Sequence, residues 1–335
     1  MSQWSLKIDI FNHILTKKYK KALDEAAPGH LQQAANNAIP TLWDLDHRFR
    51  VMDKFGVMQV LTLSRPPIEE VLSNPKKALD LTRLANDEMA ELVLKYPERF
   101  PAAIAAVALN DIDGSLKELE RAIVDLRFRG VQIYSHVNDK PLDLPEFRPL
   151  FEMMAHYNLP VFIHPTTGIT GTDFKSEKGS KYPVDTLFGW PYETTMAMKR
   201  LAFGGILETW PNLKVITHHG GALVPYFEQR IMAFHDVGEM MAGSDKAVRA
   251  KSPVELYKLF YADTALYGNT PALMLARAFF GIDHLLFATD FPFAGQHGER
   301  VTRQTIAAIE AMDISDVEKK QIFEDNARSL MRLPV

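Results

Sequence analysis

Lys7-Ile8-Asp9-Ile10-Phe11-Asn12-His13 is the stretch on which the reading of this 335-residue chain turns. Ile8, Ile10 and Phe11 form a short apolar run that carries one acid, Asp9, and ends on a histidine. Such a run reads as a fully buried strand. A histidine where that strand stops is sited to point into whatever cavity the strands surround. Phe11 is the odd member, because it shares a face with His13 and is apolar where a second polar group is expected.

Working outward, a polar, Ala- and Asn-rich excursion occupies about 14–43. Its Lys17-Lys18-Tyr19-Lys20-Lys21 cluster reads as a solvated helix face. A helix over 44–55 follows, closed by Gly56 in the manner of a C-cap, and then a strand over 57–63. The alternation repeats, with strands at 100–107, 130–134, 160–164, 213–219, 259–263 and 284–290 and helices between them. Two helices, over 299–312 and 315–331, close the chain. The Thr-, Gly- and Lys-rich loop at about 165–183 is long enough to be a lid. Alternation of this kind predicts parallel sheet built from right-handed βαβ units. Eight rounds predict an α/β fold, a (β/α)8 TIM barrel, as one domain over 1–335. No G-x-G-x-x-G fingerprint follows a strand, which counts against a dinucleotide fold.

Composition narrows the chemistry. A net charge of -4 and a pI near 6.3 leave no basic footprint for nucleic acid. The absence of cysteine excludes disulfides, thiolate nucleophiles and cysteine metal sites, so any metal must be held by His and carboxylate. No apolar run approaches the roughly 20 residues that span a bilayer, and the first residues lack signal-peptide character. The expectation is a soluble, cytoplasmic protein with neither membrane nor nucleic-acid partner.

In a TIM barrel the C-terminal ends of the strands face the active site. His13, His164, His219 and Asp290 end the first, fifth, sixth and eighth strands. Their joint occurrence predicts a metal-assisted site, since imidazole and carboxylate suit Zn2+ or Mn2+. His218 and His219 are neighbours on a strand, so only one is expected to face the site. Arg48, on the helix before the second strand, reads either as a solvated arginine or as a clamp for a substrate carboxylate. Trp190, Phe291 and Phe293 could wall a flat substrate or simply cap the core.

The chain resembles the amidohydrolase superfamily, in its branch of metal-dependent non-oxidative decarboxylases. The resemblance rests on Ile8 to Leu15, Val161-Phe162-Ile163-His164-Pro165, Glu193-Thr194-Thr195, His219-Gly220-Gly221, Pro225-Tyr226 and Thr289-Asp290-Phe291-Pro292-Phe293. It implies that His13, His164 and Asp290 bind one divalent metal, with Zn2+ placed ahead of Mn2+. It implies that His219, with Asp290, manages protons, and that Arg48 binds a substrate carboxylate. Trp190, Glu193, Phe291, Phe293 and Phe11 are expected around the substrate. The family carries His or Glu, a ligand, where this chain has Phe11, so one ligand is missing.

The expected activity is non-oxidative decarboxylation of a small aromatic or unsaturated carboxylic acid by a homodimeric carboxy-lyase. A lactonase, amidohydrolase or hydratase on the same frame is the alternative. A non-catalytic binding protein that lost its metal through Phe11 is the third reading.

Overall fold

The computed structural model describes residues 6–30, 32–166, 173–174, 176–242 and 251–335. Eight parallel strands alternate with helices around the barrel. They are β1 (Lys7–Ile14), β2 (Val57–Leu63), β3 (Ala105–Ala106), β4 (Val131–Tyr134), β5 (Val161–His164), β6 (Val215–Thr217), β7 (Tyr261–Asp263) and β8 (Leu285–Leu286). β3 to β8 pair in sequence order, and β1 pairs with β2. Two single bridges, Leu61 with Ala103 and Asn12 with Phe291, join these groups. The sheet thereby closes on itself, and the fold is the expected TIM barrel.

The packing follows from the residue types. Ile8, Ile10, Phe11, Val60, Ile104, Phe162, Ile216 and Leu286 belong to one fully buried cluster. Ala327, Leu330 and Met331 of the last helix join the same cluster. A second, larger cluster includes Leu61, Leu81, Met89, Leu119, Phe151 and Leu201, as expected where helices cover a parallel sheet. The helices start where local chemistry satisfies their free amides. Asp44 accepts from the Asp46 and His47 amides at the start of Leu45–Phe55, and Gly56, at φ 62°, ends that helix. Asn74 and Asp111 cap Pro75–Lys95 and Ile112–Val124 in the same way.

Several boundaries differ from the sequence reading. The 14–43 excursion contains helices Lys17–Ala26 and Gln33–Ala38. Glu88 accepts bonds from the Thr16 hydroxyl and the Lys18 and Tyr19 amides, which fastens the first of these to the barrel wall. β8 is short because the amides beyond Leu286 turn to other acceptors: Phe287 bonds the Ile322 carbonyl, Ala288 the Thr264 hydroxyl and Thr289 the Asp9 carboxylate. β6 stops at Thr217, so His218 and His219 lie beyond it. In the proposed lid, residues 167–172 and 175 lie outside the described residues. The rest is tied by Asp173, which accepts from the Ser180 hydroxyl and the Lys181 amide.

Candidate active site

β1 delivers the first two site residues, and it is irregular at the point of delivery. Between Asp9 and Asn12 its register against β2 slips by one residue, the signature of a bulge. Asp9 holds the bulge, accepting bonds from the Phe11 amide, the Thr289 amide and the Thr289 hydroxyl. Burial pushes the Asp9 carboxyl up to about 7, against the pull of those bonds. The arrangement ties β1 to the segment carrying Asp290.

Phe11 lies at the centre of the site and is fully buried. Its ring stacks on His218 at 3.4 Å between centroids and 13° between planes. It stands edge-on to His13 at 4.6 Å, His164 at 5.5 Å and His219 at 5.8 Å. The four imidazoles thus surround one phenyl ring.

The polar groups around that ring are paired in a definite way. His13 Nε2 bonds Asp290 Oδ1 at 3.1 Å, and the Tyr267 hydroxyl donates to Asp290 Oδ2 at 2.7 Å. Burial raises the Asp290 carboxyl, but the bonds and charge of His13, with help from Tyr267, outweigh it and hold the group below its ordinary value. His164 donates from Nδ1 to the Pro165 carbonyl at 2.7 Å. Burial, with the nearby charges of His13 and Arg65, depresses its pKa well below the ordinary histidine value. His218 Nδ1 meets Asp263 Oδ2 at 2.7 Å, both groups fully buried, and its Nε2 has no hydrogen-bond partner. Burial lowers the His218 pKa and the Asp263 carboxylate opposes that effect.

His218 corrects one expectation. Strict alternation would send His218 and His219 to opposite faces, yet the structure brings both to Phe11. The backbone leaves extended geometry at His219, φ 58°, and turns through Gly220 and Gly221 at φ 65° and 76°. A Cβ on Gly221 would meet the Phe280 ring at 2.5 Å, so the tight turn requires glycine there. His219 donates from Nδ1 to the Ala265 carbonyl and stacks with Tyr267. Asp290, at φ 61°, shares this left-handed backbone, a conformation that non-glycine residues hold mainly where function or packing demands it.

Arg48 requires a second correction. It is fully buried, and each of its three guanidinium nitrogens has a protein acceptor. Nε donates to Gln59, one terminal nitrogen to the His13 and Thr41 carbonyls, and the other to Asn12. Its guanidinium carbon lies 4.9 Å from the centre of the Phe291 ring. Arg48 is a pin behind β1, not a substrate clamp. Phe291, fully buried beneath it, is likewise core and not a substrate wall.

The remaining predicted residues divide. Phe293 is 5.3 Å from His13, and Trp190 is 5.9 Å from His164, so both border the histidines. Glu193 is half-buried on the same helix as Trp190, its carboxyl raised by burial and by the charge of Asp139. Residues not foreseen are His218, Asp263, Tyr267 and Arg65. Asp263 ends β7, so the rule that selected the other strand-end residues also reaches it.

The donors of His13, His164 and Asp290 have the chemistry of a zinc or manganese site. The bond from His164 Nδ1 to a carbonyl is the outer contact that leaves Nε2 for a metal. The Phe11 ring lies between these groups and supplies no donor. His13 and Asp290 bond each other, and among the described residues no three His, Asp or Glu side chains already form a cage. The fit to a cation is one of donor type, three donors strong.

Residues 9–333 match the family model described as Amidohydrolase. The chain therefore belongs to the amidohydrolase family, and within it to the branch of the aminocarboxymuconate-semialdehyde and γ-resorcylate decarboxylases. It is 30% identical, over 98% of its length and 92% of the relative's, to 2-amino-3-carboxymuconate-6-semialdehyde decarboxylase of Dictyostelium discoideum. It is 29% identical, over 94% of its length and 98% of the relative's, to γ-resorcylate decarboxylase of Rhizobium radiobacter. Among solved structures it is similar to 5-carboxyvanillate decarboxylase of Novosphingobium aromaticivorans, with a TM-score of 0.83, 26% identity and coverage of 99% and 97% of the two chains. That structure holds manganese and 4-hydroxy-3-methoxy-5-nitrobenzoic acid.

Proposed function

We propose that this protein is a carboxy-lyase that removes CO2 non-oxidatively from a small aromatic or unsaturated carboxylic acid. The observation that carries the reading is the buried His218–Asp263 pair, 2.7 Å apart, placed across Phe11 from the His13–Asp290 pair. It occurs in a chain that matches, along almost its whole length, relatives named as decarboxylases.

Loss of CO2 from such an acid needs a proton delivered to the carbon that carried the carboxylate. Asp263 fixes the Nδ1 proton of His218, which leaves Nε2 as the atom that gives or takes a proton. In its protonated form the imidazolium is stabilised by the same carboxylate, the role an orienting acid plays beside a catalytic histidine. Phe11, stacked on the ring face, stops that imidazole from tilting and keeps water from it. Phe293 and Trp190 supply apolar flanks for a flat acid.

One divalent cation is part of this reading, held by His13, His164 and Asp290, with Zn2+ ahead of Mn2+. It would polarise the oxygens of the acid and orient them. A homodimer and a cytoplasmic setting also belong to it. Exposed apolar side chains at Tyr182, Leu187, Phe188, Tyr192 and Tyr226 support the dimer.

The test is incubation of purified, metal-supplemented protein with salicylate-like and muconate-like acids, following CO2 and product together. One CO2 per product formed is expected. Hydrolysis of a lactone or amide without CO2 release would replace this reading with the hydrolase.

A further inference from the structure

The chain from the end of β7 touches the site three times, at alternate residues. Asp263 Oδ2 meets His218 Nδ1 at 2.7 Å, and the Ala265 carbonyl accepts from His219 Nδ1 at 3.0 Å. The Tyr267 hydroxyl donates to Asp290 Oδ2 at 2.7 Å. Each contact holds a different side chain of the site. The turn that makes them is itself well fastened. Asp263 Oδ1 accepts from the Ala265 and Gly220 amides, and the Leu266 amide bonds the Thr264 carbonyl. Gly268, at φ 88°, lies against helix Glu299–Glu310, where an added Cβ would meet the Gln304 Cβ at 3.0 Å.

Tyr267 has no part in the reaction as proposed above, yet its backbone is strained. Its φ is 52°, a left-handed conformation that a bulky aromatic residue rarely holds. A turn that only reversed the chain would carry glycine or asparagine there. Burial does not demand the ring either, since Tyr267 is nearly half exposed. What the conformation secures is two side-chain contacts: the hydroxyl on Asp290 and the ring stacked with His219 at 5.9 Å.

The first contact bears on how Asp290 is oriented. A carboxylate turns broadly about its last torsion, and two bonds stop this one: His13 on Oδ1 and Tyr267 on Oδ2. A cation that takes His13 Nε2 ends the first bond, because that nitrogen cannot serve both. Tyr267 then supplies the remaining hydrogen bond to the Asp290 side chain among the described residues. With Oδ2 occupied, Oδ1 stays turned toward His13.

We infer that Tyr267 is a positioning residue that fixes the Asp290 carboxylate with Oδ1 toward His13, so that this oxygen is preset as a donor to a divalent cation. The inference rests on the proposed cation site for its donor set, whereas the orientation of Asp290 is measurable without metal.

The experiment has two arms. In the first, Zn2+ and Mn2+ affinities of the wild type and Tyr267→Phe are measured by competition with a chromogenic chelator, alongside thermal melting. The variant keeps the ring and removes only the hydroxyl. Affinity should fall roughly 10- to 100-fold, the range for losing the outer contact of a metal ligand. Melting should stay within about 2 °C of the wild type, as for a substitution near the surface. In the second arm, metal-free crystals of His13→Ala and His13→Ala/Tyr267→Phe are compared. Asp290 should keep its orientation in the first and lose it in the second. Unchanged affinity in Tyr267→Phe, or the same Asp290 orientation in both crystals, overturns the inference. If the wild type binds neither cation, the proposed cation site fails, and the two crystals still uphold or overturn the hold of Tyr267 on Asp290.

Discussion

The phenyl ring of Phe11 and the imidazole of His218 lie 3.4 Å apart and within 13° of parallel. The contact places an apolar ring at the centre of a histidine cluster, and it ties the metal question to the proton-transfer question. Phe11 holds His218 by its face while Asp263 holds it by Nδ1.

Replacing Phe11 with His returns a donor to the position between His13 and His164. Zn2+ affinity, measured by competition with a chromogenic chelator, should rise at least about tenfold, as expected for one added imidazole ligand. Unchanged affinity would show that the ring does not border the cation.

Asp263→Asn removes the carboxylate that fixes the His218 tautomer. Turnover should fall roughly 10²- to 10⁴-fold, the range for losing an oriented acid–base group, with KM little altered. The carboxylate now opposes the depression of the His218 pKa by burial. Its loss should therefore move the histidine limb of the pH profile to lower pH.

Arg48→Met distinguishes a pin from a clamp. The change strands Gln59, Asn12 and the His13 carbonyl, all buried acceptors. A loss of about 2–4 kcal/mol in stability is expected, since buried partners are left unpaired. Substrate KM in the folded fraction should stay near the wild-type value. A large rise in KM with unchanged melting would restore the clamp.

Glu69 gives a pH signature independent of catalysis. It is buried just after β2, and burial, joined by the charge of Glu70, raises its carboxyl from the ordinary 4.5 to about 8. Between those two values the folded state keeps a proton that the unfolded chain releases. Its contribution to stability therefore falls as pH rises from 4.5 to about 8. Glu69→Gln should flatten that slope and stabilise the protein at pH 8 by roughly 1–3 kcal/mol, read from urea midpoints at pH 5 and pH 8. Identical slopes in both proteins would contradict the assignment.

The barrel was legible because its signal is repetition: eight apolar runs at regular spacing, with Gly56 and Asp44 marking a helix at both ends. That His13, His164 and Asp290 lie together was legible because strand ends converge in such a fold. Two kinds of information were not. Local backbone geometry decided His218, since a turn through Gly220 and Gly221 defeats the two-residue alternation that assigned the pair to opposite faces. Side-chain depth decided Arg48 and Phe291, because a helix arginine reads as solvated until its acceptors are seen.

In the proposed reaction these residues remove CO2 and return a proton to the same carbon. The direct measurement is turnover of the metal-loaded protein in D2O with a substrate acid, counting CO2 and locating deuterium in the product by NMR. One CO2 per product and one deuterium at the vacated carbon are expected, both lost together in Asp263→Asn. Product formed without CO2, or with deuterium elsewhere, would contradict it.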